Sequence, residues 1–120
     1  MALFMRQNGN FTRSENNFFD YQTSKEQELT TELFCRPGLR VERIASAGQS
    51  SGPYCQEEDE WVLLLEGRAQ VRCETAERVW TEKLEAGDWL YIPAGLRHWV
   101  ENSSEKGLWL CCFVRPEKKN

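Results

Sequence analysis

The spacing of apolar positions along this chain changes near residue 34. Residues 1 to about 24 are polar and asparagine-rich, with scattered aromatics (Phe4, Phe11, Phe18, Phe19, Tyr21) and no sustained period. That pattern reads as a loose arm whose later part packs onto the body. Ser24-Lys25-Glu26-Gln27 then fits a capping box, and Leu29 and Leu33 stand four apart. A short helix over 25–33 is the element these signals predict. From Phe34 onward, short apolar runs alternate with turn residues, as in an all-β domain. Strands are predicted over 39–46, 61–65, 68–73, 79–84, 89–92, 98–101 and 108–114. Pro37-Gly38, the Gly/Ser-rich stretch 47–53, Glu66-Gly67, Glu85-Ala86-Gly87-Asp88 and Pro93-Ala94-Gly95 punctuate them. No long helix separates these runs, and a parallel crossover needs a dozen or more residues. An antiparallel sandwich or barrel remains. The expected organisation is an arm with a possible short helix (1–33), a β-barrel (34–114) and a charged tail (115–120).

Within the strands the period is two. Ala69, Val71 and Cys73 share one face of their strand. The last strand is apolar on both faces: Leu108, Leu110, Cys112 and Val114 on one, Trp109, Cys111 and Phe113 on the other. A strand buried on both sides needs a cover outside the barrel. Either the N-terminal arm or a second subunit supplies it, and a homodimer is expected.

Composition narrows the function classes. One hundred and twenty residues make one domain, and 40% hydrophobic residues with five tryptophans support a packed core. A net charge of −4, with basic residues scattered, argues against nucleic acid as a partner. No apolar run approaches the ~20 residues of a membrane helix, and the N-terminus lacks the layout of a signal peptide. A cytoplasmic location without membrane partners is the expectation. Five cysteines without C-x-x-C spacing indicate neither a zinc ribbon nor a redox motif. Cys73 and Cys112 are expected to serve as small core hydrophobes in a reducing cell. The single histidine, His98, excludes a His-rich metal centre within one copy of the chain.

Two spacings carry the chemistry. Gly87, Pro93, Gly95, His98 and Asn102 form G-x5-P-x-G-x2-H-x3-N. Gly48, Tyr54, Gln56, Glu60 and Gly67 form G-x5-Y-x-Q-x3-E-x6-G. The first resembles the second motif of the cupin superfamily at every defined position. The other resembles that family's first motif, with Tyr54 and Gln56 at its two histidine positions. The chain is similar to small single-domain bacterial cupins that carry Tyr and Gln there. The likeness spans about residues 34–114.

The resemblance implies an antiparallel, jelly-roll-type β-barrel. It also directs Tyr54, Gln56, Glu60 and His98 into the barrel mouth as a ligand-binding cluster. In metal-binding cupins these four positions hold one divalent metal. Here only Glu60 and His98 are ordinary ligands, with Gln56 as a neutral oxygen if a metal is bound. Without metal, a Glu60–His98 pair would raise the histidine pKa and make it an acid/base group. Tyr54 would then donate to a developing oxyanion. The reading is a small-molecule-binding cupin with a degenerate metal site. The alternative is a metal-dependent oxygenase or isomerase using Glu60, His98 and Gln56. Arg40, Arg43, Arg68, Arg72 and Arg97 are candidates for an anionic ligand, although such residues more often sit on solvated faces. Trp89, Tyr91 and Trp99 are candidates for pocket lining or core packing.

Overall fold

A computed structural model describes residues 5–8, 11–14 and 16–116. The first four residues of the arm and the end of the charged tail, 117–120, lie outside the described residues. Among the described residues the chain forms ten strands and no helix. They are β1 (Met5–Asn8), β2 (Phe11–Ser14), β3 (Leu29–Arg36), β4 (Leu39–Ser46) and β5 (Asp59–Glu66), then β6 (Arg68–Glu74), β7 (Val79–Glu85), β8 (Trp89–Ile92), β9 (Arg97–Ser103) and β10 (Gly107–Val114). A five-stranded sheet runs β3-β4-β10-β5-β8, and a three-stranded sheet runs β7-β6-β9. β1 and β2 form a separate hairpin. Every pairing is antiparallel. No helix here is long and apolar enough to cross a membrane.

The two larger sheets close over one core. Val62 and Leu64 of β5, with Trp109, Cys111 and Phe113 of β10, meet Ala69, Val71 and Cys73 of β6 and Leu84 of β7. Leu64 and Leu108 are fully buried. A cavity between the sheets is lined by residues of both. A jelly-roll β-sandwich is the result, and the all-β expectation stands.

The predicted helix over 25–33 does not form. Residues 25–27 are a bend, and β3 begins at Leu29, pairing with Ala45 of β4. The capping signal is real but local: Glu26 N donates to Ser24 Oγ at 3.2 Å. One capped turn cannot nucleate a helix. The adjacent β-branched Thr30 and Thr31 favour the strand, and the β4 edge supplies hydrogen-bond partners along Leu29–Arg36.

The last strand also departs from simple alternation. A register shift against β5 between Leu108 and Trp109 places both inside the sandwich. Beyond it Trp109, Cys111 and Phe113 point to the core, while Cys112 is half-buried and Val114 is 45% exposed. Cys111, not Cys112, is therefore the core thiol of this strand. Cys73 is buried as expected. On β8, Leu90 and Ile92 take the inward positions, leaving Trp89 and Tyr91 59% and 56% exposed. Neither lines a pocket or packs the core.

The arm covers one end of the outer face. Arg43, 9% exposed, donates to the carbonyls of Phe18 at 2.9 Å and Asp20 at 3.2 Å. Tyr21 donates its hydroxyl to Glu66 Oε2 at 2.9 Å. Burial and that carboxylate push the phenol up to about 12. Gly67 makes the turn from β5 to β6 at φ 94°, where a Cβ would collide with the Lys106 carbonyl.

Candidate functional site

The site lies between the two sheets, in a cavity that both line. Glu60 occupies the second position of β5, on its inward face opposite Phe113. His98 lies on β9 of the other sheet, opposite Cys73 of β6. Tyr54 and Gln56 come from the long loop between β4 and β5. That loop is tied to β9 in two places. Tyr54 and His98 exchange backbone hydrogen bonds of 2.7 and 2.9 Å. Gly95 N donates to the Gln56 carbonyl at 2.9 Å, and Ala94 N donates to Asp59 Oδ1 at 2.8 Å. The Pro93-Ala94-Gly95 turn thereby fixes the histidine strand against the start of β5.

These ties bring three of the four expected residues into one network. Gln56 Nε2 donates to Glu60 Oε1 at 2.8 Å. His98 Nε2 lies 3.3 Å from the same oxygen. His98 Nδ1 lies 2.9 Å from the Leu96 carbonyl. A carbonyl only accepts, so Nδ1 carries a hydrogen, and Nε2 needs a second one to bond the carboxylate. The arrangement suits an imidazolium–carboxylate ion pair, with both side chains largely buried, at 8% and 12% exposure. Burial alone would lower the His98 pKa. The Glu60 hydrogen bond, the Leu96 carbonyl and the Glu60 charge outweigh it and raise it. A histidine raised in this way stays charged to higher pH than a free one, which suits a general acid.

Tyr54 stands apart from the network. It is 49% exposed, its ring centroid lies 6.0 Å from that of His98, and its hydroxyl bonds neither His98 nor Glu60. It instead forms part of the wall of a cavity of about 240 Å³ that Gln56, Glu60 and His98 also line. Val62, Val71, Ile92 and Trp109 supply the apolar wall.

The donor set does not fit a first-row metal centre of the usual kind, which takes three strong protein ligands and an open position. One imidazole and one carboxylate are present, and the Gln56 amide directs its N–H₂ at that carboxylate. Among the described residues, no group of three or more His, Cys, Asp or Glu side chains is arranged to hold a metal ion.

Four features of the cavity escaped the sequence reading. The Leu96 carbonyl anchors His98, and backbone partners leave no mark in residue types. Cys111 faces the cavity on the same face of β10 as Trp109 and Phe113, and the sequence reading gave the strand's core thiol as Cys112. Burial and the Glu60, Glu42 and Glu28 carboxylates push its thiol well up. Glu28 lines the cavity from a stretch that reads as helix. Arg40 was a candidate for an anionic ligand. The inward parity of Arg40, Glu42 and Ile44 on β4 was available as a signal for what it does instead. Arg40 donates to Glu42 at 3.0 Å and to both oxygens of Glu58 at 3.1 Å. Its guanidinium lies 4.2 Å from the Phe113 ring centroid.

An antiparallel sandwich with a Glu/His/Gln cluster lining a cavity between its sheets defines a jelly-roll domain. The chain belongs to the cupin family: the cupin domain matches residues 41–113. No curated protein sequence matches it. Among solved structures it is similar to a candidate mannose-6-phosphate isomerase from Ralstonia eutropha JMP134. Identity is 33% and TM-score 0.78, over 87% of this chain and 100% of that one. A cupin superfamily protein from Desulfitobacterium hafniense shares 18% identity at TM-score 0.70, over 80% of this chain and 84% of that one. Bacillus subtilis oxalate decarboxylase variants share 21% identity at TM-score 0.64. There the likeness covers 78% of this chain but 26% of the enzyme, and it concerns the fold alone.

Proposed function

We propose that this chain is a small-molecule-binding cupin that recognises its ligand by hydrogen bonds and charge rather than through a metal. One observation carries the reading. A single oxygen of Glu60 accepts from Gln56 and lies 3.3 Å from His98 Nε2, while the other histidine nitrogen lies 2.9 Å from the Leu96 carbonyl. The position that a metal would take between these side chains is bridged by hydrogen bonds. The cavity, about 240 Å³, falls below the ~300–1,000 Å³ of sites for drug-sized molecules. That size favours a small metabolite.

Metal analysis of untagged protein, grown with supplemented Mn, Fe, Ni and Zn, tests this. Less than about a tenth of an equivalent supports the reading. A stoichiometric metal that is lost in His98→Ala would establish the metal-dependent enzyme instead.

The same reading makes the protein a homodimer. Trp89, Tyr91 and Val114 stand on the outer face of the wider sheet, beside Trp61 and Cys112. Among the described residues, the arm's hydrogen bonds to the body are at Arg43, Gln49 and Glu66. A second copy of this face is an apolar surface of matching strand spacing, and contiguous exposed aromatics of this kind mark association sites.

A further inference from the structure

We infer that the ligand of this cavity carries a cationic amine, seated at Glu28, and that anionic metabolites are excluded. The inference rests on the small-molecule reading above and names the ligand class for the same site. Two acidic and two basic side chains line the cavity: Glu28, Glu60, Arg40 and His98. Both cations are already matched. His98 is paired with Glu60 at 3.3 Å. Arg40 is held by two carboxylates, Glu42 at 3.0 Å and Glu58 at 3.1 Å. Glu28 is the lining charge left over. Among the described residues it has no hydrogen bond and no ion pair, although it is partly buried.

Counting Arg40's partners, the cavity and its immediate rim hold four carboxylates against two cations. A phosphate or carboxylate on the ligand would enter a negative field, with each nearby cation already engaged. An ammonium would meet an unpaired carboxylate, and charge-assisted hydrogen bonds are among the stronger ones. Two further observations point the same way. The Cys111 thiol, 2% exposed, lines the cavity without a hydrogen-bond partner among the described residues and offers no positive charge. Trp109, also in the lining, tolerates a cation against its ring better than an anion. Burial raises the Glu28 pKa, so the ionised carboxylate is held here at a cost in stability. Residues that break a local rule without structural return are expected at functional sites. The other end of the ligand, facing Glu60 and His98, needs a hydroxyl or carbonyl.

Three probes of equal length separate the possibilities: 4-aminobutan-1-ol, butane-1,4-diol and succinate. Their affinities are measured by calorimetry at pH 7 and low salt, on the full chain and on Glu28→Gln. The aminoalcohol is expected to bind one to one, at least tenfold tighter than the diol, with succinate weakest. Glu28→Gln removes the aminoalcohol's advantage and leaves the diol unchanged. Succinate or the diol binding as well as the aminoalcohol would overturn the inference while sparing the small-molecule reading. Equal aminoalcohol affinity in Glu28→Gln would do the same. No binding by any of the three would remove both. Circular dichroism of Glu28→Gln, expected to match the parent, shows that any loss is not misfolding.

Discussion

Replacing Glu60 with glutamine probes the centre of the site, because it removes the charge and keeps the shape. Breaking a buried ion pair costs about 3–5 kcal/mol when the surviving partner stays charged. His98 has an escape. Its Nδ1–H can keep the Leu96 carbonyl while Nε2 loses its proton and accepts from the introduced amide. The cost then falls to that of a charge-assisted hydrogen bond, about 2 kcal/mol. For a chain of this size that lowers the Tm by roughly 8 °C at pH 6.

The sign of the pH dependence follows from the raised His98 pKa. The pair's contribution is fully present below about pH 6.5, the unfolded value. It is lost as pH rises through the higher folded value. In Glu60→Gln that decline should vanish. The chain has one histidine, so its Hε1 NMR signal needs no assignment. In the parent the midpoint should lie above 6.5, and in Glu60→Gln below the parent's. Identical midpoints in the two proteins, or a parent value under 6.5, would refute the imidazolium–carboxylate assignment.

Further outcomes follow from the packing. Gly67→Ala should destabilise by about 3 kcal/mol, because its φ is left-handed and a Cβ meets the Lys106 carbonyl; chemical denaturation reads this directly. Glu28→Gln should raise stability at neutral pH. A carboxyl raised by burial stabilises only while protonated, so the parent loses stability as pH climbs through the raised value, and the variant should not. Of five free thiols, Cys35 and Cys55 are exposed and should react with an aromatic disulfide reagent within minutes, whereas Cys73 and Cys111 should need unfolding. Sedimentation at micromolar concentration should show a dimer that Trp89→Glu dissociates; a parent that runs as a 14.0 kDa species defeats the dimer.

Much of the fold was legible because turn residues and period-two alternation are local signals. β4 and β8 fall at the predicted bounds, 39–46 and 89–92. What was not legible depended on partners distant in the chain. Ser24 caps one turn, yet the free edge of β4 decides that Leu29–Arg36 is a strand. Alternation gave the two faces of β10, but both are apolar, so counting could not say that Trp109, Cys111 and Phe113 are the ones that meet the other sheet. At the site, spacing placed Gln56, Glu60 and His98 together, and the structure joins them. Tyr54 has the right spacing but follows the loop to the cavity wall. Glu28, Cys111 and the Leu96 carbonyl belong to the site only through the meeting of two sheets, which no window of sequence contains.

His98, held between Glu60 and the Leu96 carbonyl, is expected to bind no metal. Zinc titration followed at the single histidine Hε1 resonance tests it most directly. At pH 7 with up to about ten equivalents of Zn²⁺, the account predicts that this resonance keeps its position and intensity. A stoichiometric shift complete at one equivalent, absent in Glu60→Gln, would show that His98 and Glu60 together bind metal and would contradict the account.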